Sequence, residues 1–176
     1  MLTTAVAVPA GLTIRRTVEG DWREVRRLRL EMLEDTPLAY LETLAHAHRR
    51  GEAEWRAKAR EGSSNRAITV VAVTAEGRFV ATMLSSVPPG ASGAYLFGVY
   101  VAPSHRGAAG VTDALLTRIE EWALGRGDTL TLEVHEDNAR AIAAYRKRGF
   151  VETGVTLPYP LDPSRRELEM RKELRA

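Results

Sequence analysis

Apolar and polar residues alternate over Leu12 to Val18, which predicts an opening strand that Gly20 breaks. Trp22, Val25, Leu28, Leu30, Met32 and Leu33 then recur at roughly helical spacing, so a helix is expected from Trp22 to about Glu34. Asp21 stands three residues before Glu24, the pattern of a capping box. After Pro37, Leu38 to His48 and Glu52 to Glu61 read as two further helical pieces hinged near Gly51. Ile68 to Thr74 is rich in β-branched residues and turns through Ala75-Glu76-Gly77-Arg78 into a partner strand, Phe79 to Val87. Tyr95 to Val101 is a continuous apolar run, as expected of a strand buried on both faces. A loop from Pro103 to Gly110 opens a helix whose stripe is Val111, Leu115, Ile119 and Trp122. Thr129 to Val134 reads as a buried strand and Asn138 to Arg148 as a helix stopped by Gly149. Phe150 to Val155 and Glu167 to Leu174 complete the set, with a Pro-rich loop between them. This order predicts a mixed α/β domain on one central sheet, with helices on both faces and right-handed crossovers in its second half. An N-terminal tail, residues 1–11, precedes a single domain, residues 12–176.

Composition narrows the function classes. The 176 residues are 44% hydrophobic and 27% charged, ordinary for one globular domain. With no cysteine, disulfides, thiolate zinc sites and thiol nucleophiles are excluded. His46 and His48 lie two apart on a predicted helix and point different ways, so no metal site is expected. The formal charge is only +2, and the many arginines are interspersed with acids rather than gathered in a tract. No nucleic-acid partner is therefore expected. No apolar run approaches the roughly 20 residues of a membrane span, and Met1 to Gly11 does not read as a secretory signal. A cytoplasmic protein with no membrane partner is the expectation. A homodimer is allowed, although no motif specifies one.

Chemistry concentrates in two blocks. In the first, the strand ending Leu96-Phe97-Gly98-Val99-Tyr100-Val101 feeds the small-residue loop Arg106-Gly107-Ala108-Ala109-Gly110, which opens the helix at Val111-Thr112. A loop of this kind leaves backbone N–H groups unpaired at a helix start, and small residues let a phosphate approach them. It has neither the Walker A lysine nor regular Gly-x-Gly-x-x-Gly spacing. In the second, Val134, Asn138, Ala141, Tyr145, Gly149 and Phe150 follow one helix later. Together the blocks resemble the GNAT superfamily of acetyl-CoA-dependent N-acetyltransferases, over roughly Leu12 to Leu174. The loop departs from that family's Arg/Gln-x-x-Gly-x-Gly/Ala pattern. Placing Arg106 at its head puts the expected glycine on Ala109, a one-residue insertion before Gly110 reconciles the register, and Thr112 replaces a small residue.

The resemblance implies the GNAT-like fold, acetyl-CoA as co-substrate without a metal, and an amine acceptor on a small molecule or peptide. It implies that amides around Val99, Tyr100 and Val101 hold the pantetheine and polarise the thioester. Arg106, Gly107, Ala108, Ala109, Gly110, Val111 and Thr112 would cradle the pyrophosphate. Asn138 would sit beside the cofactor arm while also serving as an N-cap. Tyr145 would protonate the departing thiolate, unless it is only a core aromatic. Many relatives carry a basic Glu on the strand Tyr95 to Val101, and this strand has no carboxylate. Glu133 and His135, sharing a face of the next strand, are the candidate bases, with Glu31 and Glu34 further off. The acceptor is expected between Glu31 to Leu44 and Thr153 to Arg166, where Glu31, Glu34, Asp35, Tyr40, Tyr159 and Asp162 stand, and carboxylates there would suit a cationic acceptor. The missing strand carboxylate and irregular loop keep a non-catalytic acyl-CoA sensor as the alternative.

Overall fold

The computed structural model describes residues 7–107 and 110–174. Seven strands form one sheet in the order β1-β2-β3-β4-β5-β7-β6. They are β1 (Leu12–Arg16), β2 (Ala67–Thr74), β3 (Phe79–Ser86), β4 (Ala94–Val101), β5 (Thr129–His135), β6 (Val151–Tyr159) and β7 (Asp162–Glu173). All neighbours are antiparallel except β4 and β5. The helices are α1 (Trp22–Asp35), α2 (Leu44–Arg49), α3 (Glu52–Glu61), α4 (Val111–Leu124) and α5 (Ala139–Lys147). The predicted mixed sheet is thus formed, with α4 making the crossover between the parallel pair. Trp55, Phe79, Phe150, Met83, Leu115, Ile119, Leu130, Leu132 and Met170 are its largest fully buried side chains. Each large apolar side chain taken fully from water is worth roughly 1.5–3 kcal/mol.

Several sequence expectations are corrected. Leu38 to His48 is not one helix: a 3₁₀ turn over Pro37–Ala39 gives way to extended chain at Tyr40. Thr43, whose hydroxyl accepts from the His46 N–H at 3.2 Å, then caps the short α2. The Asp21/Glu24 capping box is not formed, because both carboxylates are claimed elsewhere. Asp21 receives Arg15 and the Val18 N–H, while Glu24 receives Arg27 and the Phe79 N–H. The Pro-rich loop is instead a long hairpin, β6–β7. Pro158 is tolerated there because β6 is the sheet edge, where a missing N–H costs no ladder bond. Nor is β4 buried on both faces: Phe97 is 47% exposed and Val99 and Val101 only partly covered.

Candidate active site

The site begins where β4 and β5 part. They pair only at Ala94↔Leu130 and Tyr95↔Thr131. Beyond that point β4 bulges: Thr82 pairs with Tyr100 but Leu84 with Phe97, so Gly98 and Val99 together oppose Met83. Gly98 has φ +58°, a conformation that favours glycine, and a Cβ there would stand 2.7 Å from Leu84 Cδ1, which would have to turn aside. The Ala102 N–H donates to Val80 O at 2.8 Å, which fixes the edge facing β3. Strand alternation then turns the N–H and C=O of Val99 and Val101 toward the opened gap. Both carbonyls meet side chains there: Tyr40 OH donates to Val99 O at 2.9 Å and Arg106 Nε to Val101 O at 2.7 Å. The Arg106 guanidinium also pairs with Asp35 and lies over the Tyr100 ring. Tyr100 itself is buried and donates to Glu31 at 3.2 Å.

The loop after β4 ends in an open helix start. Gly110 caps α4 in the left-handed region at φ +67°, with nothing within 4 Å of where a Cβ would sit. The Ala114 N–H reaches Gly110 O at 2.8 Å, leaving the N–H groups of Val111, Thr112 and Asp113 without intrahelical acceptors. No side chain caps this end. The Asp113 carboxylate instead accepts a bidentate pair from Arg148, at 2.8 and 3.3 Å, joining the end of α5 to the start of α4. Gly107 also has positive φ, at +73°. The Ala108 and Ala109 expected in the cradle lie outside the described residues.

Asn138 caps α5, its Oδ1 accepting from the Ala141 N–H at 3.2 Å. Tyr145, two turns on, packs edge-on against Phe150 at 5.7 Å and lines the cleft. Its hydroxyl bonds to no other described residue. Burial pushes its phenol well above the ordinary range, opposed only by nearby Arg148.

A single cleft of about 1200 Å³ joins these elements to the far wall. Glu133 and His135 do share a face of β5, but their surroundings differ. Glu133 is exposed to the cleft, whereas His135 is 3% exposed. The His135 Nδ1 accepts from the Asp137 N–H at 3.2 Å, which leaves the neutral ring's proton on a buried, unpartnered Nε2. Its ring stands edge-on to Tyr159 at 4.7 Å. The ring lines the cleft, but its Nε2 is buried and its Nδ1 is taken by backbone. A carboxyl the sequence reading passed over stands opposite: Glu167 pairs with His135 across β5 and β7, is buried as a residue, and lines the cleft. Desolvation, then the charge of Glu133, raises its carboxyl above the ordinary range. Desolvation, then Glu169, does the same to Glu133.

The acidic residues expected near the acceptor are largely spoken for. Glu31 is held by Arg27 and Tyr100, Asp35 by Arg106, and Glu34 is exposed outside the cleft lining. Among the described residues no group of three or more His, Asp or Glu side chains is placed to hold a metal ion, and no helix is long and apolar enough to cross a membrane.

This splayed parallel pair, bulged strand and open helix start define an acyltransferase of the GNAT class. The sequence profile of the acetyltransferase (GNAT) family matches residues 24–150, and the chain belongs to that family. Among solved structures, nourseothricin acetyltransferase is 30% identical over 62% of this chain and 66% of its own, with a TM-score of 0.57. The yncA protein of Salmonella typhimurium, solved with its cofactor acetyl-CoA, is 16% identical over 95% of this chain and 96% of its own, TM-score 0.74. The paia N-acetyltransferase of Thermoplasma acidophilum, in complex with coenzyme A, is 16% identical over 92% and 98%, TM-score 0.72. No curated protein is significantly similar to the chain.

Proposed function

We propose that this protein transfers the acetyl group of acetyl-CoA to a primary amine. The observation that carries the reading is the gap between β4 and β5, flanked by backbone donors at Val99 and Val101 and closed at one end by the uncapped start of α4. Acetyl transfer needs an oxyanion stabilised, an amine deprotonated and a thiolate protonated. The Val99 and Val101 N–H groups supply donors on fixed backbone, the arrangement that favours charge developing in a transition state. The amides of Val111, Thr112 and Asp113, without an acceptor among the described residues and at the positive end of α4, suit a pyrophosphate. Arg106 contributes through its backbone, because its guanidinium braces β4 and Asp35.

Tyr145 is the proton donor to the thiolate, since its hydroxyl is uncommitted and its raised pKa keeps it protonated at neutral pH. An amine of pKa about 10 must lose a proton before attack. The Glu133–Glu167 pair takes this role over His135, because both carboxylates line the cleft while the imidazole has one nitrogen bonded to backbone and the other buried. The strand register opposite His135 sets Glu167 beside the packed His135 and Tyr159 rings. The long edge strand β6, with Val151, Val155 and Leu157 exposed, supports a homodimer through that edge. The lack of cysteine supports a cytoplasmic setting.

The test is a screen of amine libraries read by free thiol release, beside calorimetry with acetyl-CoA. Binding with turnover supports the reading. Binding without turnover across the library would favour the sensor alternative, and no binding would overturn both.

A further inference from the structure

The acceptor end of the cleft carries a cluster of charge that the transfer chemistry does not use. Glu42, in the chain between α1 and α2, is 8% exposed and lies between two guanidiniums. Arg29 Nε donates to it at 2.9 Å, and Arg50 Nη2 stands 2.7 Å from its other oxygen. His46 approaches only to 4.0 Å from an exposed position. One carboxylate thus faces two permanent cations, and both Glu42 Oε1 and Arg50 Nη1 are buried with no hydrogen-bond partner among the described residues. Lys58 of α3 lines the same end and makes no ion pair with another described residue. Desolvation, then the nearby Arg50 and Arg29, hold its ammonium below the ordinary lysine range, an effect that Glu42 and Glu61 only partly oppose. With Glu61 also lining this end, three cations stand against two carboxylates.

The cluster is tied directly to the reacting end. The Arg29 guanidinium lies over the Tyr40 ring, 5.0 Å from its centroid, and the Tyr40 hydroxyl donates to Val99 O in the β4 gap. Across the cleft stand Glu133 and Glu167. The acceptor cavity therefore has acid on its β5–β7 wall and excess cation under α1 and α3, with the exposed Phe97 between β4 and solvent.

We infer that the acceptor is a small amine that also carries a carboxylate: its amino group meets Glu133 and Glu167, and its acid group pairs with Arg50, Arg29 and Lys58. This rests on the acetyltransferase reading and narrows it. Lys58 offers the acid group an ammonium that is exposed and has no ion-pair partner among the described residues, with the Arg50 and Arg29 charges beside it. The guanidiniums are only 16% and 21% exposed, which suits a small molecule rather than a cationic peptide surface.

The experiment compares α-, β- and γ-amino acids with their carboxamides and their decarboxylated amines, by kcat/KM in the wild-type enzyme and in Lys58→Met and Glu42→Gln. The acids are expected to lead their neutral counterparts by about tenfold or more, the discrimination of one charge-assisted bond. Lys58→Met should cut that ratio several-fold with the neutral amines unchanged, and Glu42→Gln should raise it. Preference for carboxamides or for polyamines, or a ratio unmoved by both variants, would overturn the inference. Should nothing in the panel turn over, melting curves of the CoA-bound enzyme with each acid decide: no shift with any acid overturns it, whereas acid-selective stabilisation lost in Lys58→Met sustains it and places the failure in the transfer reading instead.

Discussion

The two ends of the cleft are made of different materials. The cofactor end is backbone: a bulge at Gly98 and Val99, N–H groups on β4, and the open first turn of α4, all within one stretch of chain. The acceptor end is side chains brought from α1, α3, the chain between them, β5 and β7, with contacts such as Tyr40 to Val99 spanning 59 residues. Backbone donors are available from almost any sequence that keeps the conformation, so that end depends on a few small residues. Side-chain chemistry changes with each substitution, so the acceptor end is where specificity is set. The contrast predicts that variants at the cofactor end alter cofactor affinity or turnover for every acceptor alike, and variants at the acceptor end alter the ranking of acceptors.

The largest effect tests a side chain that belongs to the cofactor end. Tyr145→Phe keeps the ring and its packing on Phe150 but removes the hydroxyl. Turnover is expected to fall by roughly 10²–10⁴-fold, the usual worth of a general acid, with acetyl-CoA affinity little changed. Steady-state kinetics beside a melting curve checks it. Normal turnover with a small loss of stability would return Tyr145 to the core and leave water as the donor.

Next comes the acid wall. Glu167→Gln should lower kcat/KM by about 10²-fold for amines that enter protonated. In the wild type, the acid limb of the pH profile should lie above the ordinary glutamate value of about 4.3, because desolvation and Glu133 raise the Glu167 carboxyl. The stability sign is the reverse of an ion-paired acid. With the folded pKa above the unfolded one, the group's contribution is complete at low pH and is lost as pH rises through the window between them. Glu167→Gln should therefore flatten the fall in stability across that window. An unchanged acid limb in the variant would remove Glu167 from proton transfer.

At the phosphate loop, Gly110→Val should weaken CoA binding by about tenfold to a hundredfold, the value of one or two charge-assisted backbone bonds. A β-branched residue strains φ +67°, although no neighbour would meet its Cβ. The dephosphorylated pantetheine arm should lose much less affinity. Equal losses for both would show that the helix start does not hold the pyrophosphate.

The same contrast explains what could be read from the sequence. The loop, α4, and Asn138 with Tyr145 form local patterns, and the structure places them at one cleft. The bulge left a trace, a glycine inside an apolar strand, which is a known bulge signal. Glu167 opens a predicted strand, but nothing in its spacing reveals that it pairs with His135 across β5 and lines the cleft. The same register that brings Glu167 opposite His135 buries the imidazole. Arg29, Arg50 and Glu42 look like ordinary surface charges until α1 and α3 fold over the sheet and remove them from water. The long-range partners of β-strands and the desolvation of charges are products of tertiary packing, and no local spacing encodes them.

The smallest expected effect separates two roles of one residue at the boundary between the ends. Asn138 accepts from the Ala141 N–H and so satisfies one of the free donors of α5. Its replacement by alanine should cost about 1 kcal/mol of stability, the typical value of an N-cap. Asn138→Asp keeps an oxygen at the cap and adds a charge favourable at a helix N-terminus, so stability should be retained or slightly raised. The carboxylate loses the amide's donor hydrogens, and with them any bond given to the cofactor arm. If Asn138 only caps, acetyl-CoA affinity should follow stability: near wild type in the Asp variant once saturated and folded, and near wild type in the folded fraction of the Ala variant. If it also contacts the cofactor, both variants should lose affinity by a few-fold while only alanine lowers the melting temperature. Calorimetric titration with acetyl-CoA beside melting curves reads both quantities. Normal affinity in both variants would assign Asn138 to the helix alone, and the cofactor end would then hold its ligand through backbone and Tyr145.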